Sequence, residues 1–256
     1  LKAAFRKFAL LTEHRVIANI DDANTLAAVD EIDRDVRTFG VHQQADYRAV
    51  NVREYRPSFF EFDVAVHGVP GVHVRLSVPG YHNVYNALAA YACAEGAGCT
   101  PGQCAQGLTA FRGAGRRFEI LGEVNGVTIA DDYAHHPTEL EATLRAAKEM
   151  DYNQVWAVFQ PFTYSRTQML LDEFARVLPI ADHVVMTEIM GSRERAEDYT
   201  VRTKDLAAKI PGSVWFSTFD EVVNHVLAHA KPGDLVITLG CGDIYKAAKM
   251  MMARAQ

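Results

Sequence analysis

The second half of the chain alternates short apolar runs with longer amphipathic segments. Three of the runs are apolar nearly throughout: VWAVF at 155–159, HVVM at 183–186 and LVITL at 235–239. Such runs are typical of strands that are covered on both faces. The segment 137–150 instead places Leu140, Leu144 and Ala147 at helical spacing. Strands that alternate with helices in this way predict βαβ units and a mostly parallel sheet.

The predicted elements of this half follow in chain order. Strands are expected at 118–124, 127–130, 154–159, 183–187, 214–216 and 235–239, and helices at 137–150, 168–178, 202–210, 219–230 and 244–253. The dipeptide Asn125-Gly126 between the first two strands is a strong hairpin signal.

The first half shows a different pattern. Apolar and polar residues alternate with a period of two at 47–54, 58–67 and 72–78, and Val69-Pro70-Gly71 is expected to form a turn. This pattern predicts a small antiparallel sheet with one buried face. Further strands at 15–20 and 36–40 and helices at 1–11, 25–29, 83–97 and 101–111 complete this half. Asp22 or Asn24 is expected to cap the second helix, and Thr100, followed by Pro101, the fourth.

The segment RGAG at 112–115 is short, rich in glycine and charged, and the pattern changes after it. We therefore predict two α/β domains, residues 1–114 and 115–256, which rotate about this segment. The first residue is Leu1, and the helix that begins there has no N-cap. We expect the chain to begin inside a domain of a longer protein.

Composition narrows the function classes. The formal net charge is −6 and no basic run occurs, which argues against a general nucleic-acid binder. No apolar run approaches the ~20 residues that span a bilayer, so no membrane partner is expected. None of the four cysteines forms a CxxC pair, which disfavours a zinc knuckle and favours reduced thiols in a cytoplasmic protein.

Candidate chemistry lies where the predicted parallel strands end, because ligands bind at the carboxyl edge of such sheets. Polar side chains crowd the segments that follow these strands: DDYAHHP at 131–137, QPFTYSR at 160–166, EIMGSRE at 188–194 and GCGD at 240–243. The opposite edge has only ordinary turns, at 150–153 and 231–233. This asymmetry predicts a site.

Each of these groups has a functional and a purely structural interpretation. Asp131 and Asp132 suit a ribose diol or a magnesium ion, and the alternative is that one of them caps the next helix. His135 and His136 precede a helix and could donate to an anion, remain solvated or contribute to a zinc site. Arg166 suits a carboxylate or phosphate, or pairs with a surface acid such as Asp172 or Glu173.

Two further segments leave both interpretations open. In the first domain, Asn83 and Asn86 are three residues apart at a predicted helix start, and their amides suit an adenine edge. Asn83 could equally be an N-cap. The GCG at 240–242 resembles half of a dinucleotide fingerprint, although close packing of helix on strand explains the glycines equally well.

Four segments, in this order, resemble the Mur ligase family: VPGYHNVYNALAA, GAGRRFEILGEVNGVTIADDYAHHPTEL, FQPFTYSRT and DLVITLGCGDIYKAA. They extend from about residue 78 to the C-terminus, and IANIDDANT near the start is similar to the family's central domain. DDYAHHP and YSRT favour the members that attach L-alanine. The resemblance implies the last part of a central ATPase domain at 1–114 and a C-terminal Rossmann-like domain at 115–256.

The implied reaction joins L-alanine to UDP-N-acetylmuramate with ATP and Mg²⁺, through an acyl phosphate. The phosphate-binding motif G-x-x-x-x-G-K-[ST] does not occur in the sequence. We therefore expect the phosphate loop and the magnesium ligands to lie outside this chain, and this chain alone to be inactive.

The resemblance also implies residue roles. Asn83 and Asn86 should contact the adenine, Arg117 the phosphates and Asp132 the ribose, with Tyr133 and His135 lining the nucleotide and amino-acid pocket. Arg166 should bind the alanine carboxylate, so that His135 and Arg166 are the catalytic candidates and no residue is a metal ligand. The nucleotide residues are expected to line a cleft between the domains. Phe162 stands where the family usually has His, and Thr163 where some members have Arg.

Two other functions remain open from the sequence. A dinucleotide-dependent oxidoreductase domain would explain the α/β alternation and the GCG, but no GxGxxG follows the first strand of the second domain. A non-catalytic nucleotide-binding module is consistent with Phe162 and with the missing phosphate loop.

Overall fold

The computed structural model describes residues 1–254 and divides the chain into two compact units, Leu1–Arg112 and a second unit from Gly113 onward. The division falls within the RGAG segment. Among residues 1–254, no helix is long and apolar enough to cross a membrane.

The first unit is a five-stranded sheet with four helices. Its strands are β1 (Arg15–Asn19), β2 (Asp35–Gly40), β3 (Tyr47–Arg56), β4 (Phe59–Val66) and β5 (Val69–Arg75). Its helices are α1 (Lys2–Leu11), α2 (Ala23–Val29), α3 (His82–Gly96) and α4 (Pro101–Ala110). The strands lie in chain order across the sheet, with β1, β2 and β3 parallel and β3, β4 and β5 antiparallel.

The sequence prediction for this sheet was partly wrong. The antiparallel strands do form, but they continue a parallel pair instead of making a separate small sheet. The expected turn at 69–71 lies inside β5, and the chain turns at His67-Gly68, where both residues have positive φ (49° and 80°). Pro70 is tolerated in β5 because this strand lies at the sheet edge.

Helix packing and capping in this unit follow the sequence pattern. Val84, Leu88 and Tyr91 of α3 are buried in the core with strand residues such as Phe62. Thr100 caps α4 in a reciprocal capping box, as predicted. For α2 the cap is Asp22, whose carboxylate accepts from the Thr25 amide, and not Asn24.

The second unit is a doubly covered, six-stranded sheet. Its strands are β6 (Glu119–Val124), β7 (Val127–Asp132), β8 (Val155–Phe159), β9 (His183–Thr187), β10 (Val214–Phe216) and β11 (Leu235–Leu239). Its helices are α5 (Pro137–Glu149), α6 (Tyr164–Met169), α7 (Leu171–Val177), α8 (Thr203–Ala207), α9 (Phe219–His229) and α10 (Tyr245–Ala253). The strand order is β10-β9-β8-β11-β7-β6, and all pairs are parallel except β6 with β7.

The predicted mixed α/β class and mostly parallel second sheet are therefore confirmed. All residues of β8 and β11 are buried, because helices cover both faces of the sheet. The β6–β7 hairpin turns at Asn125-Gly126, as predicted, and both residues have positive φ (51° and 80°).

One helix differs from its predicted bounds in a way that affects the site. Instead of a single helix at 168–178, α6 begins at Tyr164 and the chain breaks at Leu170 before α7. The early start depends on Glu194 in a distant loop, whose carboxylate accepts from the Ser165 amide at 2.9 Å. A cap supplied by another segment leaves no local sequence signal. Arg166 therefore lies in the first turn of a helix.

Candidate functional site

Three strands of the second sheet end level with one another. Leu239 of β11 pairs with Asp132 of β7 on one side and with Phe159 of β8 on the other. The segments that follow, beginning at 133, 160 and 240, therefore leave the sheet at one common edge. This arrangement confirms the geometric premise on which the site was predicted.

Asp131 is part of a buried ion-pair network. Its Oδ2 accepts from Arg116 Nε at 2.8 Å, and its Oδ1 accepts from the Thr238 hydroxyl at 2.6 Å. The same Arg116 donates to the carbonyl oxygens of Gly240 at 2.6 Å and Gly242 at 3.2 Å. Sequence reasoning missed Arg116, because the neighbouring arginine was chosen by resemblance and the carbonyl partners are 124 or more residues away.

Asp132 is buried and holds the backbone of its own surroundings. Its Oδ2 accepts from the Phe118 amide at 2.8 Å and its Oδ1 from the Ala134 amide at 2.7 Å. Burial raises the pKa of this carboxyl, while the two backbone donors and Arg117 act to lower it. Neither aspartate caps α5, so that alternative was wrong: His136 is the cap, in a reciprocal arrangement with Glu139.

Tyr133, His135 and Arg117 lie together beside Asp132. The His135 Nδ1 is 2.9 Å from the Tyr133 carbonyl oxygen and 3.3 Å from Glu139 Oε2. The Arg117 guanidinium lies 5.5 Å from the centroid of the Tyr133 ring, and the His135 ring meets that ring edge-on at 5.6 Å. An Nδ1–H donated to the carbonyl leaves His135 Nε2 as the ring nitrogen available to a ligand.

Phe162 contacts the same group of rings. Its ring centroid is 6.5 Å from that of His135, in an edge-to-face arrangement. The backbone at Phe162 forms a bridge with Met190, which ties the segments after β8 and β9 together. An apolar ring therefore occupies the position at which the family usually has His.

Arg166 holds an unsatisfied cationic nitrogen. The side chain is half-buried, and its Nη1 is buried without a hydrogen-bond partner in the part of the chain that the structure describes. Asp172, one of the surface acids considered as its partner, pairs with Lys209 instead. A buried donor without an acceptor is costly, so this nitrogen is suited to an added anion.

Cys241 lies among charged groups of this edge. Burial raises the pKa of its thiol, while Arg166 and Arg116 act to lower it and Glu139 acts to raise it. Of these charged groups, Arg116 contacts the backbone of the 240–242 loop directly.

The glycines of that loop have a packing explanation. A Cβ at Gly242 would collide with the Gln160 side chain and with Met190. Gln160 is buried, donates to Asp243 Oδ1 at 3.0 Å and accepts from the Asp243 amide at 3.0 Å. The geometry supports close packing as the reason for the GCG. Gln160 was missed as a positioning residue because an uncharged side chain gave no signal.

The candidate residues of the first unit lie at the start of α3. Asn83 Nδ2 donates to the Pro79 carbonyl at 2.7 Å, and Asn86 Nδ2 donates to Asn83 Oδ1 at 2.9 Å. The helix begins at His82 with Tyr81 at the cap position, so the N-cap interpretation of Asn83 was wrong. The two amides are hydrogen-bonded to each other, which their spacing of three residues on the helix permits.

No group of three or more His, Cys, Asp or Glu side chains is arranged to hold a metal ion within residues 1–254. His136 is used in capping α5.

Comparison with known proteins identifies the family. The model of the Mur ligase middle domain matches residues 2–94, and that of the Mur ligase glutamate ligase domain matches residues 116–242. The chain belongs to the Mur ligase family. Its two matched regions lie in the first and second compact units respectively.

Individual Mur ligases are similar over nearly the whole chain. UDP-N-acetylmuramate–L-alanine ligase of Alkaliphilus metalliredigens is 40% identical over 99% of this chain and 56% of the relative. The enzyme of the same name from Caldanaerobacter subterraneus is 37% identical over 98% of this chain and 56% of the relative. The chain thus spans about half the length of the curated relatives it matches.

Solved Mur ligase structures share the fold. The UDP-N-acetylmuramate-alanine ligase MurC of Thermotoga maritima has a TM-score of 0.78 and 26% identity, covering 99% of this chain and 54% of that one. The MurF ligase of Thermotoga maritima in complex with ADP has a TM-score of 0.71 over 97% of this chain and 56% of that one. At 16% identity, the second likeness concerns the fold alone.

Proposed function

We propose that this chain supplies the middle and C-terminal parts of an ATP-dependent ligase that joins L-alanine to UDP-N-acetylmuramate in peptidoglycan precursor synthesis. The observation that carries the proposal is Arg166. Its Nη1 is buried and has no hydrogen-bond partner within residues 1–254, which suits a substrate carboxylate, in a chain 40% identical to a ligase of this name. Residues 1–114 would belong to the middle domain and residues 115–256 to the C-terminal domain.

The proposed roles divide between nucleotide and amino acid. Asn83 and Asn86 would contact the adenine, since each amide offers a donor and an acceptor. Arg117 would neutralise phosphate charge. Asp132 would contact the ribose, although both of its oxygens already accept from backbone amides. Tyr133 would line the nucleotide pocket.

The chemistry proposed for this chain is positioning and charge neutralisation. Arg166 would hold the alanine carboxylate with two parallel hydrogen bonds, which aims the amine at an acyl phosphate formed on the muramate carboxylate. His135, with Nδ1 on the Tyr133 carbonyl, would present Nε2 to accept a proton from that amine as the amide bond forms and phosphate leaves.

Magnesium would enter with the nucleotide and reduce the charge on its phosphates when bound. The described residues provide no cluster of metal ligands. The roles proposed for Arg166 and His135 do not depend on the ion.

The test uses a chimera in which this chain replaces the matching 56% of the Alkaliphilus metalliredigens ligase. We expect the purified chimera to form ADP over many turnovers only when UDP-N-acetylmuramate and L-alanine are both present, because without the amine the reaction stops after one acyl phosphate per enzyme. The parent ligase serves as the positive control, and circular dichroism checks that the chimera is folded. ADP formation that ignores L-alanine would contradict the proposal.

A non-catalytic nucleotide-binding module is the second candidate, favoured by the apolar ring of Phe162 beside His135. It predicts a folded chimera that binds ADP but forms no product. The substitution Phe162→His, which restores the residue usual in the family, separates the two candidates. Activity that appears only with this substitution would favour the module.

A further inference from the structure

Arg116 connects two of the loops at the carboxyl edge of the second sheet. Its guanidinium binds Asp131 at the end of β7 and donates to the carbonyl oxygens of Gly240 and Gly242 after β11. Cys241 stands between those two glycines. One side chain thus fixes the backbone on both sides of Cys241.

The same guanidinium also lies over two aromatic rings. Its central carbon lies 4.9 Å from the ring centroid of Tyr133 and 4.9 Å from that of Tyr245. Attraction between a cation and an aromatic face stabilises both contacts. Arg116 therefore contacts the Tyr133 ring and also holds the backbone of the 240–242 loop.

We propose that Arg116 is a positioning residue of this site: it holds the Tyr133 ring and the 240–242 loop in place for the nucleotide without contacting the nucleotide itself. The inference that a nucleotide uses this arrangement rests on the proposed function. The holding of the loop depends only on the geometry of the second unit.

The arrangement requires arginine. A planar guanidinium offers five N–H donors in a fixed fork, and here its nitrogens reach a carboxylate and two carbonyls while its central carbon lies over two aromatic rings. A lysine ammonium has three donors and no flat face, and it cannot make all of these contacts at once. Arg116→Lys is therefore expected to behave like a loss of the side chain.

The single substitution Arg116→Met would change two properties at once, the position of the loop and the stability of the fold. The Asp131 side chain is only 2% exposed, and removal of its cation leaves a buried carboxylate unpaired. The double variant Arg116→Met/Asp131→Asn removes that charge as well, and its reference is Asp131→Asn alone. Arg145→Met, which removes a surface arginine paired with Glu141, is the control for loss of an arginine elsewhere.

Cys241 reports directly on the loop. In the background Cys93→Ser/Cys99→Ser/Cys104→Ala it is the only cysteine of the chain. The rate at which a maleimide alkylates Cys241 is measured against pH, and the plateau at high pH is compared among variants. Because Arg116 acts to lower the pKa of this thiol, its loss moves the pH midpoint upward, whereas loosening of the loop raises the plateau itself.

We expect the plateau rate of the double variant to exceed that of Asp131→Asn by about tenfold, since two carbonyl contacts of a charged donor are lost. Arg145→Met should leave the rate unchanged. A plateau that stays within about twofold of the Asp131→Asn value, at equal thermal stability, would overturn the proposal.

The consequence for nucleotide binding is measured in the chimera. Because Tyr133 is proposed to line the nucleotide pocket, the double variant should raise the KM for ATP about tenfold and that for L-alanine less than twofold. If the double variant is as stable as Asp131→Asn and both KM values are unchanged, Arg116 has only a structural role. An inactive parent chimera would instead count against the proposed function and would leave the alkylation result standing.

Discussion

At the scale of single residues, the site is defined by which charges are satisfied within the fold. Each of the three guanidinium nitrogens of Arg116 donates a hydrogen bond, and Asp131 and Asp132 accept from neighbouring side chains or backbone. Arg166 instead retains a buried nitrogen without a partner in the described part of the chain. The satisfied groups shape the site, and the unsatisfied group is suited to bind.

The substitution Arg166→Lys tests this distinction. Lysine keeps the positive charge but cannot make two parallel hydrogen bonds to a carboxylate. A lost charge-assisted hydrogen bond corresponds to about 1.5–3 kcal/mol, or roughly a 10- to 150-fold change in affinity. In the chimera, we expect the KM for L-alanine to rise within that range and the KM for ATP to change less than twofold.

Arg176→Lys is the matched control, because Arg176 lies in the neighbouring helix α7 and pairs with Glu141 at the surface. Steady-state kinetics with each substrate varied separately measures both KM values. An equal rise in the two would mean that Arg166 does not act on the amino acid.

The sequence placed the candidate side chains at one sheet edge but did not predict their interactions. Asp131, Asp132 and Arg166 were chosen because strand ends of a parallel sheet share one edge. The roles of Arg116 and Gln160 depend on partners brought together from opposite ends of the unit, which periodicity and capping rules do not describe. The resemblance implied a role for Arg117 and none for Arg116.

At the scale of elements, the strands were predicted well and some boundaries were not. The fully apolar β8 and β11 and the Asn125-Gly126 turn have local signals that are sufficient by themselves. The turn at His67-Gly68 was predicted two residues too late, because Pro70 is a typical turn residue. A proline at a sheet edge, however, does not end a strand. The start of α6 was missed because Glu194, which caps it, is distant in sequence.

The β6–β7 turn provides a stability prediction. Gly126 has φ of 80°, and an added Cβ would lie 2.8 Å from Pro232 Cβ, so Gly126→Ala combines backbone strain with a collision. We expect Gly126→Ala to lower the free energy of unfolding by about 2–3 kcal/mol. Urea denaturation followed by far-UV circular dichroism measures the change.

Gly212→Ala separates the two causes. Gly212 has nearly the same φ, 81°, but nothing lies within 4 Å of its added Cβ. Strain alone should cost about 1 kcal/mol at this position. If both substitutions cost the same, the collision with Pro232 contributes nothing and the tight packing inferred for the turn is wrong.

A second prediction at this scale concerns the histidines between α9 and the sheet. His225 packs against His229 at 4.3 Å and meets Trp156 edge-on, while His183 stacks on the same indole at 3.9 Å. Burial lowers the pKa of His225, and His229 and His183 lower it further. The unfolded chain therefore binds a proton at this residue more readily than the folded chain.

His225 makes the stability of the fold depend on pH. The contribution of His225 to stability is complete above pH 6.5, its ordinary pKa, and is lost as the pH falls through the lower pKa of the folded state. Urea denaturation between pH 7.5 and pH 5 should therefore show a smaller pH dependence in His225→Asn than in the parent chain. His14→Asn, at an exposed position of the first unit, should retain the dependence of the parent.

At the scale of the whole molecule, the chain consists of two units whose sheets are built differently. The first mixes parallel and antiparallel strands, whereas the second is parallel except for one hairpin. The change of pattern at RGAG reflects this difference, because alternating strands with one solvated face give way to fully buried ones. The residues proposed to bind the substrates are divided between the units: Asn83 and Asn86 belong to the first, and the others belong to the second.

The most direct test of the proposed function is the identity of the amino acid that becomes attached. The chimera is incubated with ATP, Mg²⁺, UDP-N-acetylmuramate and an equimolar mixture of the common amino acids, and the nucleotide-sugar products are identified by mass spectrometry. The account predicts that the L-alanine adduct dominates and that Arg166→Lys reduces it. A folded chimera that yields no adduct, or yields mainly the adduct of another amino acid, would contradict it.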